Sequence, residues 1–107
     1  MRFSEATKGK IARVAEFHGH DKTFALAAEE FSRAANMILQ YRRASVDEDG
    51  DLMGARTELV DALAAQAVAI EMLCSRIPDL RGAVSRRADV KVNGALRRYK
   101  VPEKFPR

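Results

Sequence analysis

Between Phe24 and Arg43 the apolar residues fall at Phe24, Ala27, Ala28, Phe31, Ala35 and Ile38. Only an α-helix turns that three-and-four spacing into one continuous stripe. Two adjacent carboxylates, Glu29 and Glu30, interrupt the stretch AAEEFSRAAN at residues 27–36. A charged pair this close to a core stripe is either a salt-bridged flank or part of a binding site. What stands on the neighbouring helices decides between them.

The same periodicity predicts three further helices, so the fold class is all-α. The first spans residues 4–17, with Ser4 as N-cap and Ile11, Val14 and Ala15 on its inner face. HGHD at residues 18–21 breaks it at Gly19. The second helix follows over 24–43, then an acidic loop, ASVDEDGDLMG, over 44–54. The third is predicted over 55–76, burying Leu59, Leu63, Ile70 and Leu73. Pro78 ends it or opens the next, because proline suits a first turn and not a helix interior. The fourth covers 79–99 through Leu80, Val84, Ala88, Ala95 and Leu96, with Gly94 weakening its last turns by roughly 1 kcal/mol relative to alanine. Short loops between long amphipathic helices imply antiparallel neighbours and a four-helix bundle. One domain over 1–101 is expected, followed by a loose tail over 102–107. Alanine-rich faces on the second and third helices, with a surplus of apolar positions, point to a homodimer that completes the bundle.

Composition narrows the function classes. Apolar residues make up 47% and charged residues 32% of the chain, with three prolines and six glycines, as in a folded helical protein. Cys74 is the single cysteine, so no internal disulfide forms and a reducing, cytoplasmic setting is expected. MRFSEATKGK carries no apolar signal core, and the apolar run LVDALAAQAVAIEML is broken by Asp61, Gln66 and Glu71, so no membrane span is expected. The net charge of +4 is uneven: from Arg81 to Arg107 nine Lys or Arg face only Asp89 and Glu103. That end is a solvated basic face or a surface for a phosphate-bearing partner.

Several patterns carry little. SVDEDGDLMGAR has a calcium-loop look at Asp47, Asp49, Gly50 and Asp51, but Arg56 stands where a bidentate glutamate is needed. His18 and His20 flank a glycine without zinc-ligand spacing, and Cys74 reads as a small apolar residue. No nucleophile elbow, phosphate-binding glycine loop or helix-turn-helix is present.

The acidic residues of helices two and three carry more. Glu58 and Asp61 are spaced i, i+3 on one face, and Glu30 lies at the edge of the facing stripe. If the two helices pack side by side, Glu30, Glu58 and Asp61 converge. Three carboxylates held close need a hard cation, and magnesium suits an all-oxygen site that also engages phosphates. The plainer alternative is three helix-flank carboxylates in salt bridges.

FHGHDKTFALAAEEFSRAANMILQYRR, residues 17–43, resembles the opening of the MazG-like all-α nucleoside triphosphate pyrophosphohydrolases, in particular small phage-type members. Shared features are the histidine–glycine turn, the Glu29–Glu30 pair and the basic YRR ending. Glu58-Leu59-Val60-Asp61 resembles that family's ExxD helix, and KVNGALRRY resembles its closing basic segment. The resemblance spans nearly the whole chain and implies a dimeric helical nucleotide-binding protein. It further implies magnesium held by Glu30, Glu58 and Asp61 as the catalytic acidic set, and hydrolysis of nucleoside triphosphates to monophosphate and pyrophosphate. Lys91, Arg97 and Arg98 would then hold phosphate. One position departs: Arg33 stands where the family's ExxE motif has its second glutamate. It sets a fixed positive charge at the metal position or contacts phosphate in the metal's place. The ExxD register is open as well. Aligning IEML at 70–73 and KVNGALRRY moves the frame by four residues, which puts Ala62 and Ala65 at the ligand positions. The other function class is a catalytically inactive helical interaction module, or a non-specific nucleic-acid binder using the basic C-terminal segment.

Overall fold

The computed structural model describes residues 2–105, and the chain is all-α. Its helices are α1 (Glu5–His18), α2 (His20–Val46), α3 (Leu52–Arg76) and α4 (Leu80–Arg98), with no strand among the described residues. The chain divides into two compact units, one ending at Ile77 and one starting at Pro78.

Local chemistry sets the helix ends of the first unit. The Ser4 hydroxyl accepts from the Thr7 backbone N–H and caps α1. Gly19, at φ 81° and ψ −179°, closes α1 and opens α2. That backbone region is open in practice to glycine alone, so this residue fixes the sharp corner. The sequence pattern placed the start of α2 at Phe24, whereas the helix begins at His20, directly after the corner. The Asp51 carboxylate accepts from the Gly54 N–H and caps α3, and Asp47 accepts from the Asp49 N–H. These acidic loop residues therefore organise a turn.

α2 and α3 pack against each other, and α1 packs on both. The seam of the hairpin is alanine: Ala27 and Ala34 on α2, Ala62 and Ala69 on α3, all buried and each pair seven residues apart. Small side chains let helix axes approach closely. The α1 contact centres on Ile11, Ala15 and Met72, with Phe3 and Val68 against them. At the α1–α2 corner, buried Thr23 donates its hydroxyl to the Ala15 carbonyl at 3.3 Å.

The burial pattern differs from the sequence expectation in a consistent direction. Phe31, Ile38, Leu63 and Ile70 were expected inside and are exposed, as is Val14. On α2 the buried residues are Thr23, Ala27 and Ala34; on α3 they are Ala62, Ala69, Glu71 and Met72. Close packing of the two helices selects the alanine line over the neighbouring bulky one. With about 100° of rotation per residue, Phe24, Phe31 and Ile38 lie to one side of the Ala27–Ala34 line, and Glu30, Arg33 and Met37 to the other. On α3, Leu63, Ala67 and Ile70 lie to one side of the Ala62–Ala69 line, and Glu58, Asp61, Val68 and Met72 to the other. Antiparallel neighbours bring the two apolar stripes to the same flank of the hairpin. The opposite flank carries the acidic residues and receives α1.

The second unit holds α4, and no residue of that helix is buried. Its expected stripe residues Val84 and Leu96 are exposed. Asp79 adopts a left-handed conformation at the N-terminus, and its carboxylate pairs with Arg86 at 3.2 Å. The helix continues through Gly94 to Arg98. It is closed by the Val101 N–H donating to the Leu96 carbonyl, with Lys100 left-handed.

Candidate functional site

Glu30 follows Ala27 by three residues and precedes Ala34 by four, so it rises from the line of α2 that faces α3. Its carboxylate oxygen Oε2 is buried and has no hydrogen-bond partner. One turn further, Arg33 reaches across the hairpin. Its Nη2 donates to Asp61 Oδ2 at 2.7 Å, and its Nη1 stands 3.9 Å from Glu30 Oε2. One guanidinium thus bridges a carboxylate of its own helix and one of α3.

The hydrogen bond that Arg33 donates to Asp61 holds the guanidinium pKa above its ordinary value. Desolvation opposes this, and the negative charges of Asp61, Glu30 and Glu58 support it. A cation whose folded-state pKa is raised stabilises fully below its unfolded pKa and loses that stabilisation only above it. For a guanidinium this window lies far above neutral, so Arg33 stays charged wherever the chain is folded.

The antiparallel register separates the remaining acidic residue. Arg33 meets Asp61, and towards the loop Glu58 lines an open hollow of about 370 Å³ together with Gln40, Arg43, Asp47 and Asp51. Glu30 lies one turn of α2 the other way, further from the loop. The structure therefore gathers Glu30, Arg33 and Asp61, while Glu58 acts on Arg33 at longer range. Lys91, Arg97 and Arg98 belong to α4, where all three are exposed and Arg98 lies over the Tyr99 ring at 5.2 Å.

Magnesium does not fit the acidic set in this arrangement. Among the described residues no group of three or more His, Cys, Asp or Glu side chains is placed to hold a metal ion. The guanidinium already occupies Asp61, and its fixed positive charge opposes a second cation. His18 and His20 make edge-on ring contacts with Phe17 and Phe24. Cys74 is a free, half-buried thiol, and no described helix is long and apolar enough to cross a membrane.

The sequence pattern named Glu30, Arg33 and Asp61 but did not pair them. Their i, i+3 spacing on α2 and the seven-residue alanine repeat on each helix together give the register that does. No family model matches the chain, and no curated protein or solved structure is similar enough to lend it a function.

Proposed function

We propose that the chain is a non-hydrolysing, MazG-like helical protein that works as a homodimeric interaction module. The observation that carries this reading is the apolar flank of the α2–α3 hairpin. Phe31, Ile38, Leu63 and Ile70 remain 36–50% exposed there, while the seam beside them is built of alanine. From Phe24 to Val46 this flank is about 33 Å long, and two helices side by side are roughly 20 Å wide. The footprint is then on the order of 650 Å², close to the ~800 Å² per partner of a standard interface. A second copy fits it best: two such hairpins face to face form a four-helix core in which each apolar stripe meets its own kind. Sedimentation at micromolar concentration is expected to show a dimer. A monomer at the highest soluble concentration would overturn the reading.

Magnesium-dependent hydrolysis of nucleoside triphosphates to monophosphate and pyrophosphate, through Glu30, Glu58 and Asp61, is the competing reading. Its support is the buried Oε2 of Glu30, which has no hydrogen-bond partner and only the Arg33 guanidinium at 3.9 Å beside it. Pyrophosphate release from a panel of ribo- and deoxynucleoside triphosphates, with magnesium or manganese, separates the two. No release is expected; release that vanishes in Glu30→Ala would establish the hydrolase. Nucleotide binding without hydrolysis would show as nucleotide-induced stabilisation, lost on substitution of Lys91, Arg97 and Arg98. Binding of nucleic acid by the basic segment would instead fall steeply with salt.

A further inference from the structure

We propose that Arg33 is a tethered cation that takes the place of a divalent metal between α2 and α3, leaving the folded chain indifferent to metal ions. The inference rests on the side-chain geometry and not on the dimer. Glu30 projects from the packing line of α2, and its buried Oε2 has no hydrogen bond to offset desolvation. A carboxylate in that position needs a positive charge nearby. Asp61 on the facing helix adds a second negative charge, and Glu58 a third at longer range. The fork of Arg33 answers two of them at once, Nη2 on Asp61 at 2.7 Å and Nη1 towards Glu30 at 3.9 Å. A lysine could not span both carboxylates with a planar pair of donors.

A bound ion would join these helices in the same way, but from solution and at the mercy of its concentration. The guanidinium is attached to α2, always charged and always present. A divalent ion entering here must displace it from Asp61 and then sit beside a released positive charge. The acidic pair is thus bridged from within by one positive charge shared between two carboxylates. Removing Arg33 leaves the same carboxylates without a cation, and that demand is what an added metal can meet.

The test compares the intact chain with Arg33→Glu and Arg33→Gln. Melting is followed in EDTA, in magnesium and in manganese at matched ionic strength, and free Mn²⁺ is read by its paramagnetic resonance signal. The intact chain is expected to melt at one temperature in all three solutions and to leave the Mn²⁺ signal unchanged. Arg33→Glu, which sets a fourth carboxylate among Glu30, Glu58 and Asp61, is expected to melt lower in EDTA. It should recover with either metal and take up Mn²⁺ with a Kd on the order of 1 mM or tighter, the weak end of carboxylate sites. Adding Asp61→Asn to that variant is expected to abolish the uptake. Arg33→Gln adds no charge and keeps the test alive if Arg33→Glu does not fold; its melting point should fall in EDTA and rise with magnesium. An intact chain stabilised by magnesium would overturn the proposal. So would an Arg33→Gln variant that melts like the intact chain in EDTA, or a folded Arg33→Glu variant that takes up no Mn²⁺.

Discussion

The two flanks of the α2–α3 hairpin start from one alanine seam and solve opposite problems. On one flank a guanidinium joins the helices through Asp61 and Glu30, and α1 packs over Val68 and Met72. On the other, Phe31, Ile38, Leu63 and Ile70 stand exposed with nothing from this unit's own seam to cover them. The contrast teaches that side-chain size does not tell where the core of a single chain lies. Alanine is inside because the helices come close, and larger residues are left to a second surface.

Adjacent residues on α3 give the sharpest way to break this comparison. Ala62 is fully buried and Leu63 is 36% exposed. Ala62→Glu puts a charge without a partner into the seam. Its expected cost is about 3–5 kcal/mol, the range seen for an uncompensated buried charge. Thermal melting should show the chain largely unfolded. Leu63→Glu changes a bigger and more hydrophobic residue, yet the helical circular dichroism of the chain is expected to survive. What should be lost is the dimer. Covering the exposed part of one aliphatic side chain is worth roughly 1 kcal/mol, and twofold symmetry counts it twice, so dissociation strengthens by about 10–100-fold. If Leu63→Glu unfolds the chain and Ala62→Glu does not, the seam has been placed on the wrong face.

Gly19 tests the corner that lets α1 reach the charged flank. Space is available for a Cβ there, but its backbone lies at φ 81°. Gly19→Ala is therefore expected to cost about 1–3 kcal/mol through backbone strain alone, without change in the dimer. Denaturant melts on both sides of the dimer's concentration range separate these effects. At the same corner, Thr23→Val removes the hydroxyl that reaches the Ala15 carbonyl and keeps the shape of the side chain. The expected loss is smaller, about 1 kcal/mol, the net value of one intramolecular hydrogen bond.

Much of the local architecture was legible in the sequence because its signals are local. Ser4 as a cap, the break at Gly19 and the stop around Pro78 all act within a turn of their own position. The choice of buried stripe was not legible in the same way. Phe24, Phe31 and Ile38 lie only a fraction of a turn away from Ala27 and Ala34. Periodicity weights the bulkier residues, whereas close approach of two helices favours the smaller ones, and that approach is a property of the pair. At the candidate site, the acidic residues and Arg33 were visible as a set. The partner of Arg33 was not, because two frames for the third helix differed by one turn. The contact with Asp61 is a pairing between two helices, which spacing along either helix alone does not encode.

The smallest expected effect belongs to α4, and it sharpens the comparison from outside the hairpin. This helix has an apolar stripe by spacing but no buried residue, and Val84 is 56% exposed. Val84→Asp exchanges one middling helix former for another. It also places a carboxylate three residues before Arg87, a spacing that favours a weak ion pair. These contributions are of similar size and opposite sign. The net change in stability is expected to stay within about 0.5 kcal/mol, as for ordinary surface substitutions. A melt of the variant at dimer concentration checks this. A loss several times larger would mean that the Val84 stripe is covered in the assembled protein, making the α2–α3 flank only part of the apolar surface that a second copy must bury.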